Sequence, residues 1–154
     1  IKHPDGTEYQ GGHLDGKPHG EGLQTWTTGT QYRGSFFLGR REGQGELTHK
    51  NGGKYVGEFV EDEYHGSGTY TWLDGSSYEG EYVRGLRMGA GTMRYTDGSV
   101  YKGQWLSDFR HGKGTMVWPT GSNFTGDFFN DHMHGKGKMR NTDGSLYEGD
   151  FASN

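Results

Sequence analysis

The chain has 154 residues, a formal net charge of −4 and no cysteine, which excludes a disulfide framework and a thiolate metal site. Only 28% of the residues are hydrophobic, and no apolar run approaches the roughly 18 residues of a membrane-spanning helix. We therefore expect the 31 glycines and the aromatic residues (4 Trp, 10 Tyr and 8 Phe) to build a thin core made mainly of rings.

A 23-residue repeat runs through the chain, and glycines and aromatic residues keep the same offsets in each copy. A glycine lies two residues after the opening aromatic residue, and a second aromatic residue follows in every copy except the first, which has His13. A repeat of this length indicates a stacked array in which no single unit buries its own apolar face. The copies open at Tyr9, Tyr32, Tyr55, Tyr78, Tyr101, Phe124 and Tyr147.

The residue pattern of each full copy predicts two strands. In the third copy, Tyr55, Gly57 and Phe59 alternate with Val56 and Glu58, and this period of two predicts a strand with one aromatic face. After a loop at 61–65, the alternating run 66–72 predicts the returning strand of a hairpin. We expect the glycine between two aromatic residues to leave space for a neighbouring ring to lie against the backbone.

Short turns connect the copies. Asp-Gly or Asn-Gly occurs at 5–6, 51–52, 74–75, 97–98 and 143–144, which predicts two-residue turns with positive φ at both central residues. The predicted fold is all-β, an elongated, twisted, single-layer antiparallel meander of thirteen strands in stacked hairpins, with a concave aromatic groove. Residues 1–154 form one array of six repeats and part of a seventh.

The repeats resemble a known family. Tyr-Glu-Gly-Glu-Tyr at 78–82, Tyr-Glu-Gly-Asp-Phe at 147–151, and His-Gly-Lys-Gly at 111–114 and 134–137 are similar to MORN repeats (membrane occupation and recognition nexus) along the whole chain. The resemblance implies a hairpin array that acts as a scaffold, a dimerisation element or an adaptor between membranes and cytoskeleton. The chain resembles a fragment of a multi-repeat scaffold, such as the cytoskeletal MORN proteins of protozoan parasites.

Catalytic and metal sites are not expected. The chain shows no Ser/His/Asp arrangement and no phosphate-binding glycine loop, so we expect neither an enzyme nor a cofactor. Four histidines share one repeat position, where a loop-closing role is the simpler interpretation. His132 and His134, with Asp131, form the one short cluster of ligand types; a solvated loop is the expectation there and zinc the alternative.

Three surfaces are candidates for binding. Aromatic rings along the groove are candidates for a partner peptide, with stacking between repeats as their competing role: Tyr78, Tyr95, Tyr101 and Trp118. A basic rim at the hairpin loops is the candidate for anionic phospholipid: Arg84, Arg87 and Arg110. Exposed edge strands favour a homodimer, with contact residues Phe128, Met133 and Phe151.

The predicted function is a non-enzymatic scaffold that self-associates and links protein partners in a cytoplasmic structure, either cytoskeletal or apposed to a membrane. No nucleic-acid partner is expected. One alternative is a phosphoinositide- or membrane-binding module. The other is the regulatory repeat region of a larger enzyme whose catalytic domain lies outside these residues.

Overall fold

A computed structural model describes residues 1–152, which form thirteen β-strands and no helix. Within these residues no helix therefore exists that is long and apolar enough to cross a membrane. The strands follow one another in chain order in an antiparallel sheet, which confirms the predicted all-β meander. They are β1 (Glu8–Leu14), β2 (Lys17–Thr25), β3 (Gln31–Phe37), β4 (Arg40–Thr48), β5 (Lys54–Val60), β6 (Glu63–Thr71), β7 (Ser77–Val83), β8 (Leu86–Arg94), β9 (Val100–Leu106), β10 (Phe109–Val117), β11 (Asn123–Phe129), β12 (His132–Arg140) and β13 (Leu146–Phe151).

The chain divides into two compact units. The first unit comprises Ile1–Leu73 with Val83–Gly85, and the second unit comprises Asp74–Tyr82 with the described residues from Leu86 onward. Both units repeat the same hairpin, and in both the opening and the second aromatic residues of the repeats lie on one face of the sheet, which we call the ring face. The opposite face is called the outer face.

Glycines stand opposite one another across the strands and leave no room for a side chain. In the second unit, the paired glycines form a continuous line: Gly91, Gly103, Gly114, Gly126, Gly137 and Gly149. A Cβ atom on Gly80 would lie 2.6 Å from the carbonyl oxygen of Ala90 and 2.7 Å from the hydroxyl oxygen of Tyr78. The ring of Tyr78 lies instead against Gly91 of the facing strand, where a Cβ atom would be 2.5 Å from ring carbon Cε2. A ring therefore does cover a glycine, but it is the glycine of the returning strand and not, as expected, the one between two aromatic residues.

The rings form a chain of edge-to-face contacts on this glycine line. In the second unit, Trp105 contacts both Tyr78 and Tyr101 with ring centroids 5.3 Å apart, and Tyr101 contacts Phe128 at 4.9 Å. The planes in these pairs lie 81–89° apart, the T-shaped geometry that aromatic quadrupoles favour by about 0.5–1.5 kcal/mol per pair beyond area burial. The core is therefore one layer of interlocked rings.

The tyrosine hydroxyl groups are also satisfied inside this layer. The Tyr78 hydroxyl donates to the Glu81 carbonyl oxygen at 2.9 Å, and the Tyr101 hydroxyl donates to the Gln104 carbonyl oxygen at 2.8 Å. Burial raises the pKa of Tyr78 and of Tyr101 to about 12, although a nearby guanidinium group partly opposes the shift. These phenols are neutral at physiological pH and serve as core residues.

The turns at the Asp-Gly sites are not the two-residue turns that the sequence predicts. The Tyr95 N–H donates to the Ser99 carbonyl oxygen at 2.8 Å and the Gly98 N–H to the Tyr95 carbonyl oxygen at 3.1 Å, so the loop has three residues. Of the Asp97-Gly98 pair only the glycine has positive φ, at 94°. The prediction was wrong because the Asp97 carboxylate accepts from the Ser99 N–H at 2.7 Å, which stabilises a different turn.

Two-residue turns with positive φ at both positions occur instead at the other end of each hairpin. The predicted 61–65 loop is such a turn, with φ of 48° at Glu61 and 71° at Asp62. Asp108 and Asp131 adopt the same left-handed conformation, at 73° and 72°. This conformation is uncommon for residues other than glycine, so a compensating contact is expected at these aspartates.

That contact is an arginine from the preceding hairpin, and we call the pair a latch. The Arg41 Nε donates to Asp62 Oδ1 at 3.1 Å, the Arg41 Nη2 donates to the Asp62 carbonyl oxygen at 2.9 Å, and the Arg41 N–H donates to Oδ1 at 2.8 Å. The guanidinium also lies 5.4–5.8 Å from the ring centroids of Trp26, Tyr32 and Phe59. The arginine thus joins the turn of the next hairpin to the ring layer.

Arginine and aspartate occur together in the repeats. The second unit contains two further latches, Arg87–Asp108 and Arg110–Asp131, with the same three hydrogen bonds. Where the arginine position holds Pro18 or Tyr64, the position 21 residues later is glycine. The turn still donates a backbone hydrogen bond there, from Gly39 to Pro18 at 2.8 Å and from Gly85 to Tyr64 at 2.9 Å. We infer that an aspartate is tolerated in this turn because the arginine stabilises it.

The latch predicts a difference between two adjacent arginines. Arg41→Ala should lower the free energy of unfolding by about 1–2 kcal/mol, because it removes charge-assisted hydrogen bonds and ring contacts. Arg40→Ala should cost less than about 0.5 kcal/mol, because Arg40 pairs with Glu61 at 3.4 Å through side chains that are 61% and 73% exposed. Urea unfolding of both variants measures this difference, and equal losses would contradict the role of the latch.

Candidate functional site

Aromatic residues open several of the three-residue turns on the ring face. In the second unit these are Tyr95 and Trp118, and both are half-buried. Tyr78 and Tyr101 are fully covered, with 0% exposure, so they contribute to the core and offer no surface to a partner. Of the four residues predicted for the groove, the structure leaves Tyr95 and Trp118 available for contact.

A cavity of about 260 Å³ lies beside Trp118, and we call it the second-unit pocket. Met116 and Phe128 are its buried residues, with 6% and 4% exposure, while Trp118 is half-buried. The lining is Arg110, Met116, Trp118, Phe128, Asp131, His132, Met133 and Ala152. Because the arginine is already bonded to the aspartate at 3.2 Å, the pocket offers mainly apolar and aromatic surface. Its chemistry suits an apolar side chain.

A similar cavity of about 240 Å³ exists in the first unit, and we call it the first-unit pocket. Its lining is Arg41, Leu47, Asp62, Glu63, Tyr64 and Gly85. The Tyr64 ring stacks on Tyr55 with centroids 3.9 Å apart and planes at 12°, and burial raises the pKa of Tyr64 to about 12. The sequence patterns do not predict this pocket. A comparison of the repeats, position by position, would have shown the loss of arginine at 64.

The predicted dimer residues lie on the ring face of the second unit. Phe128 and Met133 are paired across β11 and β12, and both line the second-unit pocket. Phe128 is 4% exposed within its own chain. Phe151 is half-buried and its ring contacts Phe124 with centroids 4.8 Å apart. The structure therefore brings Phe128 and Met133 together at a pocket.

The arginines predicted for a basic rim have different environments. Arg87 and Arg110 lie on the ring face, 21% and 19% exposed, in latches with Asp108 and Asp131. Arg84 is exposed in a turn of the first unit, with φ of 50°. Two of the three positive charges are therefore balanced by a carboxylate within the chain.

Several histidines lie at turns or on the outer face. His19 Nδ1 accepts from the Leu38 N–H of the following turn at 3.3 Å, the loop-closing role that the sequence predicts for this repeat position. His134 contacts Phe129 with ring centroids 5.7 Å apart, and His132 is exposed. Asp131 is held by Arg110, and residues 1–152 bring no three His, Cys, Asp or Glu side chains together as a metal site.

Two peptide complexes are among the solved structures that match the chain. The TCP domain of SAS-4 (dCPAP) from Drosophila melanogaster, in complex with a proline-rich motif of Ana2 (dSTIL), has 12% sequence identity and a TM-score of 0.59, over 98% of this chain and 82% of that one. The TCP10 domain of Danio rerio CPAP, in complex with a STIL peptide, has 13% identity and a TM-score of 0.31, over 97% and 70%. At these identities the first likeness concerns the fold alone. No curated protein sequence matches the chain.

The family comparison covers most of the chain. The MORN repeat family matches six consecutive segments of 23 residues each, and each begins at an aromatic residue that the sequence analysis assigned to a repeat start. The matched segments are 9–31, 32–54, 55–77, 78–100, 101–123 and 124–146. The same segments supply the rings, glycines and turns described above, and the chain therefore belongs to the MORN repeat family.

Proposed function

We propose that this chain is a non-enzymatic scaffold that binds protein partners through the ring face and links them in a cytoskeletal or membrane-apposed structure. The observation that carries the proposal is an apolar pocket on the ring face of each unit, bordered by an arginine whose charge is satisfied inside the chain. Such a surface binds apolar side chains without leaving a buried charge unpaired.

The proposed ligand is an extended, proline-rich segment of a partner protein. Half-exposed aromatic rings such as Tyr95 and Trp118 are the surfaces on which polyproline II segments dock, because these segments are extended and lose little entropy on binding. The Drosophila domain of related fold is in complex with a proline-rich motif, which guides the choice of probe. Trp118 stands beside the second-unit pocket, so ring stacking and insertion of a neighbouring side chain are compatible there.

The pairing of Arg87 and Arg110 with aspartates favours protein over phospholipid as the ligand. Stable association with anionic lipid generally needs a cluster of about four to eight cations near the surface. The two latched guanidinium groups make their hydrogen bonds to Asp108 and Asp131 and pack on aromatic rings. Releasing them to bind a phosphate would break contacts that stabilise the sheet.

Binding can be tested with a neutral peptide of eight residues that contains six prolines and two leucines. Amide NMR of the labelled chain should show peptide-dependent shifts at Trp118 and Met133, while Phe109 on the outer face should not respond. Trp118→Ala should weaken the affinity read at Met133 about tenfold, because a large stacked ring is the usual anchor of such sites. Phe109→Ala is the matched control and should leave that affinity unchanged. No shift at saturating peptide, or shifts confined to the outer face, would refute the proposal.

We also propose that the scaffold self-associates through β13, with Met133 and Phe151 near the contact and Phe128 beneath them. Tyr147 is 50% exposed and Leu146 is 48% exposed, whereas the corresponding opening rings from Tyr9 to Phe124 are at most 1% exposed. β13 pairs with β12, and its Leu146 and Tyr147 are accessible hydrophobic side chains. A second copy of the chain would cover these apolar side chains.

Light scattering measures this association directly. The expected mass is about twice the 17.2 kDa of the chain. Tyr147→Lys should shift the mass towards the monomer because it places a charge at the contact, while Glu148→Lys on the other face of β13 should not. A mass of 17.2 kDa at every concentration would exclude self-association.

A further inference from the structure

We propose that the outer face of the second unit carries a docking site for an α-helix of a partner protein, and that this helix is apolar on its underside and acidic on one flank. The site lies on the face of the sheet opposite the rings, so it is separate from the ring-face pockets. It goes beyond the proposed function and does not depend on it, and it gives the scaffold a second surface on which to hold a partner.

Exposed apolar side chains form a row on this face, which we call the outer row. Leu106 and Phe109 are partners across the turn between β9 and β10, with 44% and 47% exposure, and Phe129, at the repeat position of Leu106, is 49% exposed. Phe128 is buried on the ring face, so strand alternation places Phe129 on the outer face. Leu86, at the repeat position of Phe109, is 39% exposed. Contiguous exposed apolar side chains commonly mark an interaction site.

The first unit places charges in the same row. There Leu14, Phe37 and Val60 are also exposed on the outer face, but each is paired across its turn with a charged residue. These partners are Lys17, Arg40 and Glu63, and the residues at the same repeat position in the second unit are Leu86, Phe109 and His132. One repeat position therefore makes the row charged in the first unit and mainly apolar in the second.

The Phe129 ring is held in place although half of its surface is exposed. Its centroid lies 5.1 Å from that of His111 on β10 and 5.7 Å from that of His134 on β12. Because β10 and β12 flank β11 in the sheet, the two imidazoles restrict the ring from both sides. A ring that is already fixed loses little conformational entropy when a partner covers it, so Phe129 suits the role of an anchor.

The backbone beneath the outer row favours a helix as the partner. Strands β9 to β12 are paired with a neighbour on both sides, so their backbone groups bond within the sheet. An extended segment laid across these strands would press its own N–H and C=O groups against apolar side chains, whereas a helix satisfies these groups internally. The row repeats every two strands, about 9.6 Å, and residues seven apart on a helix are spaced about 10.5 Å.

Charge complementarity favours an acidic flank on this helix. On the outer face, β8 to β12 carry one carboxylate, that of Asp127, and six cations, which are Arg94, Lys102, Lys113, Lys136, Lys138 and Arg140. Three of the lysines pair with carboxylates of β11 and β13, at 2.6, 2.7 and 4.0 Å. Within residues 1–152, Arg94, Lys102 and Arg140 form no ion pair. An acidic partner would balance these charges.

Lys102 indicates which flank of the helix is acidic. It precedes Leu106 by four residues on β9, which is about 13 Å along the strand. A helix with its side chains is about 10–12 Å across. A glutamate on the flank that faces Lys102 can therefore reach its ammonium group while leucines on the underside cover Leu106 and Phe109.

Two synthetic helical peptides test the site. Both span three heptads with a stripe of leucines, and the flank beside the stripe carries glutamates in one peptide and glutamines in the other. Amide NMR of the labelled chain should show shifts at Leu106, Phe109 and Phe129 with both peptides, and none at Trp118 on the ring face. The glutamate peptide should bind about three- to tenfold more tightly than the glutamine peptide, and this difference should shrink in high salt.

Three variants separate the apolar from the charged contribution. Phe109→Glu gives the outer row the residue that the first unit has at this repeat position, Glu63, and should weaken the binding of both peptides about tenfold or more. Lys102→Glu should weaken the glutamate peptide about tenfold and leave the affinity of the glutamine peptide unchanged. Arg33→Glu makes the same charge change at the corresponding position of the first unit and is the matched control, which should alter neither affinity.

Several results would overturn the site. No shift at saturating peptide, shifts at Trp118 in place of Phe109, or equal shifts at Phe37 of the first unit would contradict helix docking on the outer row. Equal affinities of the two peptides, or equal effects of Lys102→Glu and Arg33→Glu, would contradict the acidic flank. If Phe109→Glu does not fold, the shifts of the unmodified chain and the Lys102→Glu variant still decide.

Other occupants of the outer row would be recognised in the same experiment. Shifts at Phe109 and Phe129 that appear without peptide as the chain concentration rises would assign the row to a second copy of the chain. Shifts that require vesicles of anionic phospholipid, with none from either peptide, would assign it to a membrane. Both results would overturn the proposal, and the neutral proline peptide tests the ring face independently of them.

Discussion

The structure depends on the absence of side chains between its strands. A line of paired glycines lets tyrosine and phenylalanine rings lie against the backbone. In each hairpin, a Cβ atom on the first glycine would stand within 2.6 Å of a carbonyl oxygen of the facing strand, and a Cβ atom on the second would meet a carbon of the ring. A sheet with a core on one face has few other ways to bury apolar area, because only 28% of its residues are hydrophobic. The edge-to-face contacts and the buried hydroxyl groups follow from this close approach.

Departures from the repeat carry the candidate function. The rings and glycines are nearly uniform between repeats, whereas the residue at the repeat position of Arg41 varies. Where this residue is Pro18 or Tyr64, the residue 21 positions later is glycine and not aspartate. Tyr64 and Met133 stand at this repeat position beside the two pockets. The ring layer thus provides the frame, and one variable repeat position borders both pockets.

The sequence predicts the strands well because alternation and the repeat period assign each side chain to a face. It does not separate the covered ring of Tyr101 from the accessible ring of Trp118, since both lie on the ring face and differ only in whether a neighbouring repeat covers them. The turns were assigned wrongly because Asp-Gly suits both two- and three-residue loops, and the choice depends on strand pairing. The first-unit pocket was missed because it arises from a missing arginine and not from a motif.

The most direct test of the central claim is the free energy of unfolding of Gly80→Val, measured in urea beside Glu79→Val. Glycine and glutamate are adjacent in β7, but a Cβ atom on Gly80 would meet the backbone of Gly91 and Ala90 and the hydroxyl of Tyr78, whereas Glu79 is exposed on the outer face. We expect Gly80→Val to lose about 1–3 kcal/mol through overpacking, and Glu79→Val to change by less than about 0.5 kcal/mol. Equal stability of Gly80→Val and the unmodified chain would contradict a core made of rings on bare backbone.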